Sequence, residues 1–154
     1  EIINFIHPSK ELIWTIQKEK YRENEEGFTQ CRWDNFSVND NNTKNPMVEG
    51  NIEFHGYDRT PVLDGSFYNY VMPRQYHKST PTPGINMYSF ALNPEEFQPS
   101  GSANMSRLKT IRLNMTIDPD MFVDNEYVII TVYSVSFNVL RFASGMAVLA
   151  YSQQ

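Results

Sequence analysis

The sequence has a single cysteine, Cys31, among its 154 residues. One thiol cannot form an internal disulfide, so a reducing compartment is the simpler setting for the chain. No apolar run approaches the ~20 residues that a membrane-spanning helix needs, and the first residues do not resemble a signal peptide. Because the first residue is Glu1, we expect the chain to be a piece of a longer polypeptide.

Basic residues are also scarce. The sequence has 13 Lys and Arg against 18 Asp and Glu, which gives a net charge of −5, and the bases form no cluster. A protein that holds DNA by its phosphates needs several converging Lys or Arg side chains. The sequence therefore predicts that nucleic acid is not a partner.

Patterns typical of catalysis or metal binding are absent as well. The three histidines stand far apart, and none belongs to an H-x-H pair, although three ligands could still converge in space: His7, His55 and His77. The adjacent side chains of Glu95 and Glu96 diverge, and Ser100-Gly101-Ser102 lacks the pattern of a nucleophile elbow. No phosphate-binding loop, Cys-x-x-Cys pair or calcium loop occurs. We expect no enzyme activity, no cofactor and no metal site.

Short β-type segments dominate what is present. Apolar residues make up 40% of the chain and aromatic residues 14%. The clearest period-two alternations begin at Leu12 and at Ile111. Further strands are predicted around Ile52, from Phe67 to Met72, from Ile85 to Leu92, from Tyr127 to Phe142 with a bend, and from Met146 to Tyr151. About eight strands without a helical period longer than one turn predict one all-β domain, residues 1–154, built as an antiparallel sandwich.

The segment from Ile85 to Ser106 is predicted to form a corner of the scaffold. Its first eight residues are apolar on both faces, so we expect a second sheet or a neighbouring subunit to cover both sides of the strand. Asn93 is predicted to cap a short helical turn, with Pro94 at the first helical position and Glu96 closing a capping box. The run Gln98 to Ser102, with Pro99 and Gly101, then reverses the chain.

Residues 18–47 form a long polar loop insertion. Ordinary connections are ~4–6 residues long, so a loop of this length usually carries function or moves. Trp33, Phe36 and Val38 are predicted to attach a short strand to the body. The polar run Asp40 to Pro46 is predicted to be exposed.

Four N-x-S/T sequons make glycosylation a candidate modification: Asn35, Asn41, Asn104 and Asn114. The motif is short and arises readily by chance in an Asn-rich chain. Asn41 lies in the predicted exposed loop, and Asn114 faces outward on its predicted strand.

Several of these segments resemble a known family. The stretch YSFALNPEEFQPSGSANMS, together with HPSKELIW, GYDR and the pair NVLR and GMA, is similar to motifs of the major capsid proteins of nucleocytoplasmic large DNA viruses, the iridovirus and phycodnavirus group. The motifs span nearly the whole chain in the same order. Phe97 stands where many members carry His, and Ala103 where many carry Cys. The matching residues with expected structural roles are Arg59, Tyr88, Phe90, Asn93, Pro94, Glu96, Pro99, Gly101, Asn104, Asn138, Arg141 and Gly145.

The resemblance implies an eight-stranded jelly roll, the C-terminal one of two in a longer double jelly-roll protein. It also implies a structural role in the virion. Three copies would form a homotrimer, a pseudo-hexagonal capsomer that tiles an icosahedral capsid beside other capsomers and minor capsid proteins. An internal viral membrane would lie beneath, and assembly would take place in the host cytoplasm. Arg59 and Arg141 are expected to hold corners through ion pairs or carbonyl contacts, or else to contact other subunits.

Two alternatives remain open. A carbohydrate- or receptor-binding sandwich would use an exposed aromatic beside Asp or Asn, and Trp33 with Asp34 and Asn35 is the local candidate. A minor capsid or penton-like protein would differ in abundance and symmetry more than in sequence.

Overall fold

The computed structural model describes residues 2–3, 5–22, 32–125 and 127–150, so Cys31 and the predicted strand end at Tyr151 lie outside the described residues. Eleven strands occur in this part of the chain, four of them only two residues long, so the expected number of about eight is not confirmed. The strands are β1 (Ile2–Ile3), β2 (Pro8–Lys18), β3 (Met47–Phe54), β4 (Tyr57–Asp58), β5 (Leu63–Asp64), β6 (Ile85–Ser89), β7 (Ala103–Asn104), β8 (Ile111–Ile117), β9 (Val128–Ser136), β10 (Leu140–Ala143) and β11 (Met146–Leu149).

Two antiparallel sheets face each other. The first has the order β1-β8-β3-β4, with β5 also on β3. In the second, β2 lies at the centre, with β6 and β7 along one edge and β9 along the other. The alternating residues Leu12, Trp14 and Ile16 of β2 are buried against Ile52 of β3 and Leu113 of β8. The period-two patterns around these residues therefore predicted the central strands and their inner faces correctly.

The prediction of a strand from Phe67 to Met72 is wrong. This segment is a π-helical turn, Phe67–Val71, that continues into the short helix α1, Met72–Tyr76. Tyr68 and Met72 are buried, whereas Tyr70 between them is 61% exposed. This pattern fits a helix, because in a strand all three side chains would point to the same face. Pro73 lies in the first turn of α1, where no partner is needed for the missing N–H.

The long run from Tyr127 to Phe142 is interrupted, as predicted. It forms β9, an irregular stretch over residues 137–139, and then β10. The pairing of β2 with β9 also shifts register between Ser9 and Glu11, so Lys10 lies at a bulge. The turn at Ser144 and Gly145 has positive φ at both residues and joins β10 to β11 as a two-residue hairpin.

The described part of the loop insertion, residues 18–22 and 32–47, contains no strand between Trp33 and Val38, contrary to the prediction. The loop is instead held by side chains: Gln17 Nε2 donates to the carbonyl oxygens of Trp33 and Asn35 at 3.2 and 3.1 Å. Val38 enters the core. The run 40–46 is mostly exposed, as predicted, except that Pro46 is fully buried and Asn42 and Asn45 are half-buried.

Three 3-10 turns complete the described secondary structure: Glu19–Tyr21, Met105–Arg107 and Pro119–Asn125. None of the described helices is long and apolar enough to cross a membrane.

Candidate functional site

Strand β6 is covered on both faces, as the sequence predicted, but it ends at Ser89 rather than at Leu92, which is 72% exposed. Its outer cover is also different from the one expected. Met87 and Ile85 line a cavity with Pro73 at the start of α1, so the helical segment of the same chain covers this face. On the other face Tyr88 packs against the core cluster. Neither a second sheet nor a subunit is needed on the outer side of β6.

The corner after β6 is a turn rather than a capped helix. The N–H of Glu96 donates to the carbonyl oxygen of Asn93 at 3.3 Å, which closes a single turn. Asn93 does not cap it with its side chain. Its backbone N–H donates to Ser100 Oγ at 2.8 Å, and Ser100 Oγ donates back to its carbonyl oxygen at 3.2 Å. The predicted N-cap and capping box are therefore wrong, because the following Gln-Pro-Ser-Gly segment folds back and supplies the partner itself.

Other motif residues shape this corner. Phe90 stacks edge-to-face on Tyr88, with ring centroids 5.2 Å apart. Gly101 has a φ of +140°, and a Cβ there would lie 2.8 Å from the carbonyl oxygen of Phe90, so the close return of the chain requires glycine. Pro94 is buried, whereas Pro99 and Asn104 are exposed. Phe97 is 99% exposed at the tip of the turn.

A histidine beside this corner joins two carboxylates that no sequence pattern connects. His77 Nε2 lies 2.8 Å from Glu11 Oε2 of β2, and His77 Nδ1 lies 3.3 Å from Glu95 Oε1 of the turn. No local sequence motif could have predicted this cluster, because Glu11 and Glu95 lie 66 and 18 positions from the histidine. The predicted capping residue Glu96 contributes its carbonyl oxygen, which accepts a hydrogen bond from Lys10 Nζ at 3.2 Å, rather than its carboxylate.

The loop insertion carries a second electrostatic contact. Lys44 Nζ pairs with Asp118, which follows β8 and is mostly buried. The hydrogen bond from Lys44 is the largest cause that lowers the pKa of Asp118, and the same contact raises the pKa of Lys44. At the other end of the loop, Tyr21 OH donates to Asp40 Oδ1 at 2.6 Å and lowers the pKa of that carboxyl.

Trp33, Asp34 and Asn35, the candidate residues for carbohydrate binding, do not form one surface. Trp33 and Asp34 are exposed, but Asn35 is fully buried. Its side-chain amide donates to the carbonyl oxygen of Asn39, and its Oδ1 accepts the N–H of Ser37. A sugar could not reach this amide, so the geometry does not favour the binding-module alternative.

The four sequons differ in access. Asn35 is buried, and the side-chain nitrogen of Asn114, although on an exposed residue, donates to Asn51 Oδ1 and Glu53 Oε1 at 3.1 and 2.6 Å. Asn41 and Asn104 are exposed. Glycosylation stays a prediction, with Asn41 and Asn104 as its accessible positions.

The arginines of the motifs are exposed. Neither Arg59 nor Arg141 forms a side-chain ion pair or hydrogen bond with the part of the chain that the structure describes, so no corner clamp is seen there; a contact with other subunits stays a prediction. Arg141, Gly145 and the exposed Asn138 belong to the β10–β11 hairpin or lie beside it.

Metal binding has no support among the described side chains, where no group of three or more His, Cys, Asp or Glu residues could hold an ion. In the Glu11–His77–Glu95 cluster both ring nitrogens already face a carboxylate. The cluster is therefore suited to hydrogen bonding rather than to ligation.

The sequence matches, over residues 1–148, the family described as large eukaryotic DNA virus major capsid protein. The major capsid protein of Chrysochromulina ericina virus is 40% identical over 109 residues, which cover 71% of this chain and 19% of the relative. Capsid protein 1 of Acanthamoeba polyphaga mimivirus is 39% identical over 131 residues, which cover 80% of this chain and 22% of the relative. The chain belongs to this family of major capsid proteins.

Solved structures of capsid proteins match the fold. VP54 of PBCV-1, fitted into a cryo-EM reconstruction of the virophage Sputnik, has a TM-score of 0.76 and 25% identity, covering 99% of this chain and 45% of VP54. A quasi-atomic model of the PBCV-1 virus capsid gives 0.75 and 26% over the same shares. The Faustovirus major capsid protein, at 14% identity and a TM-score of 0.66, supports the fold alone. These matches confirm the all-β jelly-roll prediction.

The relatives also bear on function. They are structural capsid proteins, which confirms the expectation that a member of this family is not an enzyme. The chain spans about a fifth of the length of the first two relatives, 19% and 22%. This segment alone therefore does not establish the function of the whole protein.

Proposed function

We propose that this chain is the C-terminal jelly roll of a viral major capsid protein whose homotrimers are pseudo-hexagonal capsomers that tile an icosahedral capsid. Two findings support the proposal: the family match, and the fit of 99% of this chain onto 45% of VP54. The proposed location is the virion, with assembly in the host cytoplasm. The proposed partners are neighbouring capsomers, minor capsid proteins and the internal viral membrane, but not nucleic acid.

The observation that carries the proposal is the hairpin formed by β10 and β11. Within the described residues these strands pair only with each other, so both outer edges of the hairpin are open. Both of its faces are exposed as well. One face presents Leu140, Phe142 and Leu149, and the other presents Met146 and Val148.

An uncovered hairpin of this kind needs a partner. A two-stranded hairpin alone is marginally stable in water, and large exposed apolar patches mark interaction sites. Permanent interfaces bury ~2,000–5,000 Å² and use aromatic and Met side chains heavily. We propose that a neighbouring jelly roll covers the hairpin and that assembly proceeds by burial of such surfaces rather than by chemistry.

We also propose roles in assembly for the exposed motif residues and for the loop insertion. Arg59, Arg141, Asn138, Asn104 and Pro99 would lie at contacts between subunits, because they are exposed in this chain. The insertion, residues 18–47, would decorate the exterior or an intersubunit groove. Deletion of residues 39–44 that left both assembly and surface recognition intact would count against that role.

The test is the mass of the full-length protein by light scattering across a dilution series. The proposal expects a trimer that persists on dilution, because permanent interfaces are large. A monomer at all concentrations would overturn it, and a stable pentamer would favour the penton-like alternative. Electron microscopy of the same sample should show particles with a pseudo-hexagonal outline.

A further inference from the structure

Three elements of the fold meet at one imidazole ring. His77 directly follows α1, Glu11 belongs to β2, and Glu95 belongs to the turn after β6. The two ring nitrogens face different carboxylates, Nε2 toward Glu11 at 2.8 Å and Nδ1 toward Glu95 at 3.3 Å. The ring is therefore the point at which the helix, the central strand and the corner turn are held together.

The protonation state of the ring decides whether both contacts can exist. A neutral imidazole has one N–H and one lone pair, so it can donate to one carboxylate only, and its other nitrogen then repels the second. An imidazolium donates from both nitrogens. Two carboxylate partners thus require the charged ring, and histidine is the side chain that ordinarily changes charge between about pH 5 and 8.

Burial indicates which contact breaks first. The Glu11 side chain is 6% exposed, that of His77 22%, and that of Glu95 35%. A buried carboxylate is costly to leave without a partner, whereas a partly exposed one can turn to water. The neutral ring therefore keeps its bond to Glu11 and loses Glu95.

We propose that Glu11, His77 and Glu95 form a pH-operated clasp, which fixes the corner turn to the body when His77 is protonated and releases it when His77 is neutral. The turn released is the one that carries the almost fully exposed Phe97. The clasp thereby controls how firmly this exposed aromatic is held for contact with another surface.

The surroundings give release a structural consequence. His77 forms part of the wall of two cavities: an apolar one of about 190 Å³ with Ile13, Ile85 and Met87, and a polar cleft of about 280 Å³ with Lys78 and Glu96. Glu95 lines the polar cleft, so its movement away from the ring would change the shape of that cleft.

Among the described residues, other charged and titratable groups lie around the two cavities at the ring. Lys78, Glu96 and Tyr76 line the polar cleft, the backbone N–H of Lys78 donates to Glu95 Oε1 at 3.3 Å, and Lys10 binds the carbonyl oxygen of Glu96. The residues paired with Glu11 on the neighbouring strands are Ser89 of β6 and Val135 of β9, which carry no charge. Glu11 and Glu95 are therefore the carboxylates that can bind the ring directly.

Hydrogen exchange of the full-length protein at about pH 5.5 and 7.5, corrected for the intrinsic rate, tests the clasp. The reporters are the amides of Leu92, Asn93 and Glu96, whose hydrogen bonds hold the turn. We expect their exchange to be at least about fivefold slower at the lower pH, the low end of typical coupling between linked sites. Equal corrected exchange at the two pH values would overturn the proposal.

Two substitutions make the test specific. Glu95→Gln should abolish the pH dependence, because the amide can accept from the charged ring or donate to the neutral one. Glu96→Gln, a change of the adjacent carboxylate that does not contact the ring, should leave it intact. Persistence of the dependence in Glu95→Gln, or its loss in Glu96→Gln, would contradict the clasp. Because both positions are on the surface turn, the result does not depend on a substitution of the buried Glu11.

Discussion

At the scale of single residues, the core is held by a buried polar contact as well as by apolar packing. Tyr68 is fully buried, with its ring 5.3 Å from that of Trp14. Its hydroxyl donates to the carbonyl oxygen of Gly50 at 3.2 Å and lies 3.0 Å from Thr60 Oγ1. Thr60 Oγ1 in turn accepts the N–H of Ile52. Burial raises the pKa of Tyr68, so the phenol stays neutral and keeps its proton for Gly50.

Removal of the Tyr68 hydroxyl should destabilise the fold even though the aromatic ring is retained. We expect Tyr68→Phe to lower the free energy of unfolding in urea by about 1–3 kcal/mol, because it leaves a buried carbonyl without its donor. Tyr57→Phe is the matched control, since Tyr57 is 79% exposed, and it should change the stability by less than about 0.5 kcal/mol. Equal effects of the two substitutions would show that the Tyr68 hydroxyl is not a structural contact.

The residue scale also shows where sequence reasoning works. Leu12, Trp14 and Ile16 could be placed in the core, because alternation in a strand fixes which side chains point inward. The contact of His77 with Glu11 could not, because it joins residues 66 positions apart and no local pattern encodes it. Local periodicity determines the face of a strand, but not which distant polar groups meet across the fold.

At the scale of elements, the segment from Phe67 to Tyr76 shows how context overrides propensity. Its aromatic residues favour strands, and their alternation suggested one. The chain instead forms a helical segment, because in a helix Tyr68 can reach the core while the same segment covers the outer face of β6. The sequence alone could not predict that Tyr68 and Met72 are buried, because their burial depends on packing against the neighbouring strand.

The Lys44–Asp118 pair, which holds the loop insertion to the end of β8, contributes to stability in a way that varies with pH. The pKa of Asp118 is below its ordinary value of 3.8 in the folded chain, so its contribution to stability is present above that value and is lost as the pH falls through the folded pKa. We expect Asp118→Asn to flatten the decline in the free energy of unfolding between about pH 5 and 3. Asn can still accept the N–H of Asp120, so the substitution removes the charge but keeps that turn.

Asp34→Asn serves as the control for that measurement, because Asp34 is an exposed carboxylate of the same loop. Its decline with pH should parallel that of the unsubstituted chain. If the Asp118→Asn curve also ran parallel, the pair would not contribute to the acid sensitivity of the protein. Contributions from other carboxylates cancel in the comparison, since all three chains share them.

At the scale of the whole molecule, the two sheets complete their own core, but the β10–β11 hairpin does not share it. The core cluster draws on β2, β3 and β8 and contains no residue of β10 or β11. The two sheets thus bury a shared core, while the apolar side chains of the hairpin stay exposed. This combination suits a unit that assembles with other jelly rolls.

The hairpin should therefore govern the self-association of this 154-residue chain when it is studied alone. We expect the chain to bind a hydrophobic dye and to associate on concentration, because Phe142 is 77% exposed. Phe142→Ser should weaken association by about tenfold, which corresponds to about 1.4 kcal/mol of association free energy. Tyr57→Ser removes an equally exposed aromatic from β4 and should have little effect. Sedimentation across a concentration series distinguishes the two, and equal weakening by both would mean that association is non-specific and does not depend on the hairpin.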